Sequence, residues 1–171
     1  MDGWLHTTTG SRISQLARLE DREKIVLAGN ITINEGAILQ SQPMDNSSYA
    51  ISIGKYSYLG KNCKIMPPMV KPGIYSPVTI GGYCIIGENS SINCLTIGNR
   101  VLIEPNCQLQ NLSVIYDCCF IEAGTIIPTR LVVPPYSKVS GVPGKNFKIE
   151  PLNSSYKKLI ELQAKQLNVL G

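Results

Sequence analysis

The sequence predicts an all-β solenoid, a prism of stacked triangular coils, and three observations carry that prediction. Reading every sixth residue gives Ile97, Ile103, Leu109, Ile115, Ile121, Ile127, Val133 and Val139, all aliphatic and without a slip in phase. Four residues after each of the first seven stand mostly small side chains: Val101, Cys107, Ser113, Cys119, Thr125, Leu131 and Ser137. A period of six fits neither a helix nor a simple amphipathic strand. A fixed short period marks stacked repeats that bury a continuous core no single repeat could bury. Third, the chain is 43% hydrophobic but only 6% aromatic, so its core is built from Ile, Leu and Val, which pile well into β ladders.

At 171 residues the chain reads as one domain with room for a sizeable core. A formal charge of +4 with no Lys/Arg run argues against nucleic acid or anionic membrane as partner. Met1-Asp2-Gly3-Trp4 leads into polar residues rather than the apolar run of a signal peptide, and no apolar stretch is long enough to span a bilayer. The six Cys therefore read as reduced thiols. Cys63, Cys84, Cys107 and Cys119 occupy the small-residue position of a hexad, while Cys94 and Cys118 fall elsewhere. Cys118-Cys119 is not a CxxC and no zinc-ligand spacing occurs, so packing is their expected role.

In chain order, residues 1–24 carry no hexad and form an N-terminal arm. Within it, residues 11–22 fit a short helix with Ile13, Leu16, Ala17 and Leu19 on one side, and fit equally an ordered arm across the first coil. The solenoid spans 25–144, its first hexads being Ile25, Ile31 and Ala37. The pattern lapses in a polar loop at 40–50 and resumes at Ile53, Leu59 and Ile65. A second loop, 66–79, holds four Pro and a Gly in its first twelve residues and cannot continue a sheet ladder. Hexads return at Ile80, Ile86 and Ile92, then one five-residue step leads into Ile97. Gly54, Gly60, Gly81, Gly87, Asn93 and Gly98, just after the aliphatic residues, suit corners with φ > 0. Three hexads per coil make about six coils, roughly 25–30 Å tall at strand spacing. Residues 145–171 are a linker and a C-terminal helix. Ser154 or Ser155 is its N-cap, with Tyr156, Leu159, Ile160, Gln163, Leu167 and Leu170 on the packing face and Lys158, Glu161, Lys165 and Asn168 opposite.

Repeats of this type resemble the left-handed parallel β-helix (hexapeptide-repeat) superfamily, and the handedness is implied by that resemblance. Many members are acyltransferases and related ones are zinc carbonic anhydrases; Ser140-Gly141-Val142-Pro143-Gly144-Lys145 resembles the Gly-x-Pro-Ala-Lys ending of the transferases. The enzymes use a His base between subunits or three His on zinc. Here His6 is the only histidine and lies outside the repeats, which excludes a three-His zinc site. The Arg-Gly-Asp common in early coils of the carbonic-anhydrase-like subfamily is absent from Leu39-Gln40-Ser41-Gln42. Glu104 and Glu122, eighteen residues apart, stack on adjacent coils; with Glu88 they are the remaining acid–base candidates, read as surface residues, as are Asp117, Lys138 and Arg100. No GxGxxG or P-loop occurs. We expect no catalytic residues, cofactor or metal.

More specific features run from Gly60 to Pro143: Lys61-Asn62-Cys63, the Pro67-Pro68 loop, Asp117-Cys118-Cys119, Thr125-Ile126-Ile127-Pro128, and Val133-Pro134-Pro135-Tyr136 into the Ser140-Gly141 ending. On these the chain resembles the dynactin subunit 5 family. The resemblance implies a non-enzymatic, cytoplasmic, cytoskeleton-associated scaffold in the pointed-end complex, beside the sister β-helix subunit 6, subunit 4 and the pointed-end actin-related protein. That complex caps the actin-related filament and helps dynein–dynactin engage cargo or adaptors. The alternatives are a homotrimeric acyltransferase and a structural γ-carbonic-anhydrase-like subunit of another assembly. The expected partner-binding residues are Pro67, Pro68, Met69, Val70, Ile74 and Tyr75, apolar side chains in a segment that is not core strand. The ladder ends near Ile25 and Ile31, or near Val133 and Val139, are a second candidate.

Overall fold

A computed structural model describes residues 3–44 and 49–170. Each coil contributes one short strand to each of three parallel sheets, which makes the cross-section triangular. On the first face the inward residues stack in register as Ile13, Ile33, Leu59, Ile86, Ile103, Ile121 and Val139. The second face stacks Leu19, Leu39, Ile65, Ile92, Leu109 and Ile127. The third stacks Leu27, Ile53, Ile80, Ile97, Ile115 and Val133. From Ile31 to Val139 the ladders are essentially solvent-free, so the axis of the prism is a dry aliphatic column.

Two residues before each ladder position sits the small-residue column, and its occupants bond to corner carbonyls. Ser57 donates to the Gly81 carbonyl at 2.9 Å, Thr125 to Glu122 at 2.6 Å and Ser137 to Pro134 at 2.7 Å. The Cys84 thiol reaches the Gly98 carbonyl at 3.0 Å and the Cys119 thiol that of Pro134 at 3.2 Å. Ser, Thr and Cys thus serve alike as small groups with one donor, which is why they interchange along the hexad.

The N-terminal segment differs from the expected arm or helix. Arg12–Ser14 and Arg18–Leu19 are already solenoid strands, paired with Thr32–Ile33 and Ile38–Leu39. Residues 4–6 fold back antiparallel on the first of them. The early hexad phase also shifts by two: Leu27, Ile33 and Leu39 form the ladders, while Ile31 and Ala37 fill the small-residue column and Ile25 lies only half buried. Aliphatic residues at both positions disguised the phase there.

The glycines after the ladder residues serve another purpose than left-handed backbone. The positive-φ corners fall three residues after the ladder residue, at Tyr56, Asn62, Tyr83, Asn89, Arg100 and Asn106. Gly54 and Gly81 instead permit close stacking of successive coils: a Cβ on Gly54 would collide with the backbone nitrogen of Gly82.

At the C-terminal end, residues 145–155 are more than a linker, since Lys148–Pro151 pairs antiparallel with Ser137–Ser140 and covers that sheet edge. The helix Tyr156–Leu170 then packs on the first face. Its start is held by Asn153, whose carboxamide oxygen accepts the Ser155 N–H at 2.9 Å, rather than by a serine side chain. Its buried face is turned relative to expectation: Ile160 and Ala164 are buried, Leu159 is 56% exposed and Gln163 is exposed. Glu161 and Asn168, expected outward, face the prism; the side chain of Leu170 lies outside the described residues.

Candidate functional site

Both loops leave the prism at one edge, where the chain turns from the second face to the third. Residues 40–50 follow Leu39 and residues 66–77 follow Ile65, and these two strands are neighbours in the sheet. Of the first loop, residues 45–48 lie outside the described residues.

The second loop continues no ladder, as its prolines require, but it is ordered against itself. Met69–Lys71 and Ile74–Tyr75 form an antiparallel hairpin, with Gly73 at φ 77° in its turn. The six expected residues divide. Pro67 and Pro68 are buried at the base, Tyr75 is half buried, and Met69, Val70 and Ile74 are 40%, 41% and 56% exposed. The prolines anchor the hairpin and the other side chains are offered to solvent. Beside the hairpin tip, Pro43, Met44, Gly73, Ile74 and Tyr75 line a cleft of about 240 Å³.

The attachment of this hairpin was not legible in sequence. Asn111, two coils further along, uses its whole carboxamide on one residue: Met69 N–H donates to Oδ1 at 2.9 Å, and Nδ2 donates to the Met69 carbonyl at 2.8 Å. Asn93, between them, donates from Nδ2 to the Met66 and Pro67 carbonyls, both at 3.2 Å.

The second candidate, the ladder ends, is divided. Val139 lies in a strand covered by Lys148–Pro151 and Ile31 is buried in no strand, whereas Ile25–Leu27 and Val132–Val133 are the outermost strands of the third sheet.

Other groups are occupied structurally. The Ala123 N–H donates to Glu104 Oε1 at 3.1 Å, which pins a corner instead of pairing Glu104 with Glu122. The carboxamide of Asn99 and the carboxylate of Asp117 likewise accept backbone N–H groups, at 2.8 Å from Gly82 and 2.9 Å from Asn99. His6 lies on the exposed N-terminal strand. Burial pushes the thiols of Cys63, Cys84 and Cys94 up to about 12, and those of Cys107 and Cys119 to about 11, keeping them protonated. Among the described residues, no group of three or more His, Cys, Asp or Glu is placed to hold a metal ion, and no helix is long and apolar enough to cross a membrane.

The helix is fastened by charge at the corner column Tyr56, Tyr83 and Arg100. Arg100 bonds Glu161 at 2.7–2.9 Å and lies 5.0 Å over the Tyr83 ring, which stacks on Tyr56 at 5.5 Å. Lys165 approaches the same ring, and Asn168 donates to the Tyr56 carbonyl at 3.0 Å. The hydrogen bond from Arg100 holds the Glu161 carboxyl below the ordinary carboxylate range.

The model of the dynactin subunit 5 family matches residues 2–165. The chain belongs to that family. No curated protein sequence matches it. Among solved structures, a variant of AntD, an N-acyltransferase from Bacillus cereus in complex with dTDP and coenzyme A, superimposes with a TM-score of 0.72 at 14% identity, covering 99% of this chain and 100% of that one. A hexapeptide transferase family protein from Anaplasma phagocytophilum gives 0.61 at 15% identity over 94% and 90%. PerB from Caulobacter crescentus, in complex with CoA and GDP-perosamine, gives 0.61 at 13% over 82% and 56%. At such identities the likeness is one of fold: this dynactin subunit 5 family member is a left-handed parallel β-helix.

Proposed function

We propose that this chain is a non-enzymatic scaffold subunit of dynactin, working in the pointed-end complex that caps the actin-related filament and helps dynein–dynactin engage cargo or adaptors. Its neighbours there are the sister β-helix subunit 6, subunit 4 and the pointed-end actin-related protein, and its place is cytoplasmic. The observation that carries the reading is the family match over residues 2–165. The residues agree with it: the solenoid carboxylate Glu104 and carboxamide Asn99 serve the backbone, and the six cysteines are buried. In this reading the exposed Met69, Val70 and Ile74, backed by Pro67, Pro68 and Tyr75, form a docking surface that enters a complex already ordered.

The test is affinity purification of the tagged chain from native cytosol, followed by size-exclusion chromatography. Co-elution with an actin-related filament and a second hexapeptide-repeat chain is the expected result. A lone homotrimer that binds acyl-CoA would overturn it in favour of an acyltransferase, the reading that the shared fold with AntD keeps in view.

A further inference from the structure

We infer that Asn111, assisted by Asn93, is a positioning residue that fixes the orientation in which the hairpin presents Met69, Val70 and Ile74. This rests on the docking reading above and assigns its control to residues outside the loop.

Three observations converge. The single five-residue step, Ile92 to Ile97, occurs at the corner adjoining the hairpin's base. The same corner holds a left-handed residue in the next two coils, Leu112 at φ 62° and Arg130 at φ 64°, but none between Ile92 and Ile97. The corner is therefore shortened beside the place where the polypeptide crosses it. Asn93 occupies that corner and binds the Met66 and Pro67 carbonyls in the segment that leads into the hairpin.

One coil further, the Asn111 carboxamide meets Met69 as a neighbouring strand would, accepting its N–H and donating to its carbonyl. Met69 faces Tyr75 across the hairpin, while its own N–H and carbonyl turn outward to Asn111. The two asparagines together reach from the Ile65 coil to the Leu109 coil, about 10 Å along the prism. A two-stranded hairpin alone is marginally stable in water, so its direction depends on these side-chain bonds.

The experiment compares Asn111→Leu, which keeps the shape without the amide, with Asn111→Asp, which keeps an acceptor for Met69 N–H and loses the donor. Hydrogen exchange is read by residue in the purified chain, and affinity for the pointed-end subunits is read by titration. The expected result for Asn111→Leu is exchange at the Met69 amide about tenfold faster, as for one lost hydrogen bond, with affinity weakened to a similar degree. Asn111→Asp falls between it and the wild type, and the global unfolding midpoint stays within error. Unchanged exchange at Met69 would overturn the inference. So would faster exchange with wild-type affinity, provided a triple variant M69S/V70S/I74S does lose its partners; that pattern leaves the docking reading standing. A triple variant that assembles like the wild type overturns the docking reading and the inference with it.

Discussion

Gly81 and Gly124 are both small corner residues, yet their substitutions should differ. A Cβ at Gly81 would lie 2.6 Å from backbone atoms of Gly98, so the coils must part. Gly124 has φ 75° with nothing within 4 Å of its Cβ position, and the equivalent residue one coil earlier is Asn106 at φ 64°. Gly81→Ala is expected to cost about 3 kcal/mol and Gly124→Asn to stay within about 0.5 kcal/mol, as read from urea midpoints. Equal losses would contradict the stacking account. The thiols give a second prediction at this scale. With all six Cys buried and five pushed to about 11–12, native protein at pH 8 should react with Ellman's reagent at fewer than one thiol per chain. All six should react in denaturant.

The helix shows where periodicity runs out as a guide. Its 3.6-residue pattern left Leu159 and Ile160 equal claimants, and the prism chose the face by what it presents, a flat strand surface bordered by Arg100 and Tyr83. Ile160 and Ala164 allow close approach, and Glu161 and Asn168 bind at the corner. No local signal marks an ion pair sixty-one residues apart in sequence. Because Glu161 titrates lower in the folded chain than in the unfolded one, its contribution is present above the ordinary carboxylate range and fades as pH falls through the folded value. Helix amides in Glu161→Gln should therefore exchange faster than wild type at neutral pH, and the gap should close in acid. A gap independent of pH would refute the ion pair as the fastener. The hairpin was half legible in the same way. Four prolines removed it from the ladder and marked it as exposed, but they did not show the local pairing of Met69 with Tyr75, and the Asn111 clasp depends on a contact across forty-two residues.

At the scale of the molecule the hexad was nearly sufficient, because every third hexad returns to the same ladder and each error in phase would turn aliphatic residues outward. It failed only at Ile25, Ile31 and Ala37, where both columns hold aliphatic residues, and before Ile25, where Ile13 and Leu19 already stood six apart among polar neighbours. Since each coil contacts only its neighbours, a central cavity should weaken the whole stack. Ile103→Ala, at a site with no solvent exposure, is expected to cost about 2–5 kcal/mol in chemical unfolding. The prism itself is shared with acyltransferases, so the fold alone assigns no function, and the test belongs at the hairpin proposed as the docking surface. The most direct measurement is a photo-crosslinking amino acid placed at Ile74, in the chain assembled in native cytosol, with the captured protein identified by mass spectrometry. The account predicts a crosslink to another dynactin subunit or to a dynein–dynactin adaptor. Capture of only this chain, or of a second and third copy of it, would contradict the scaffold reading.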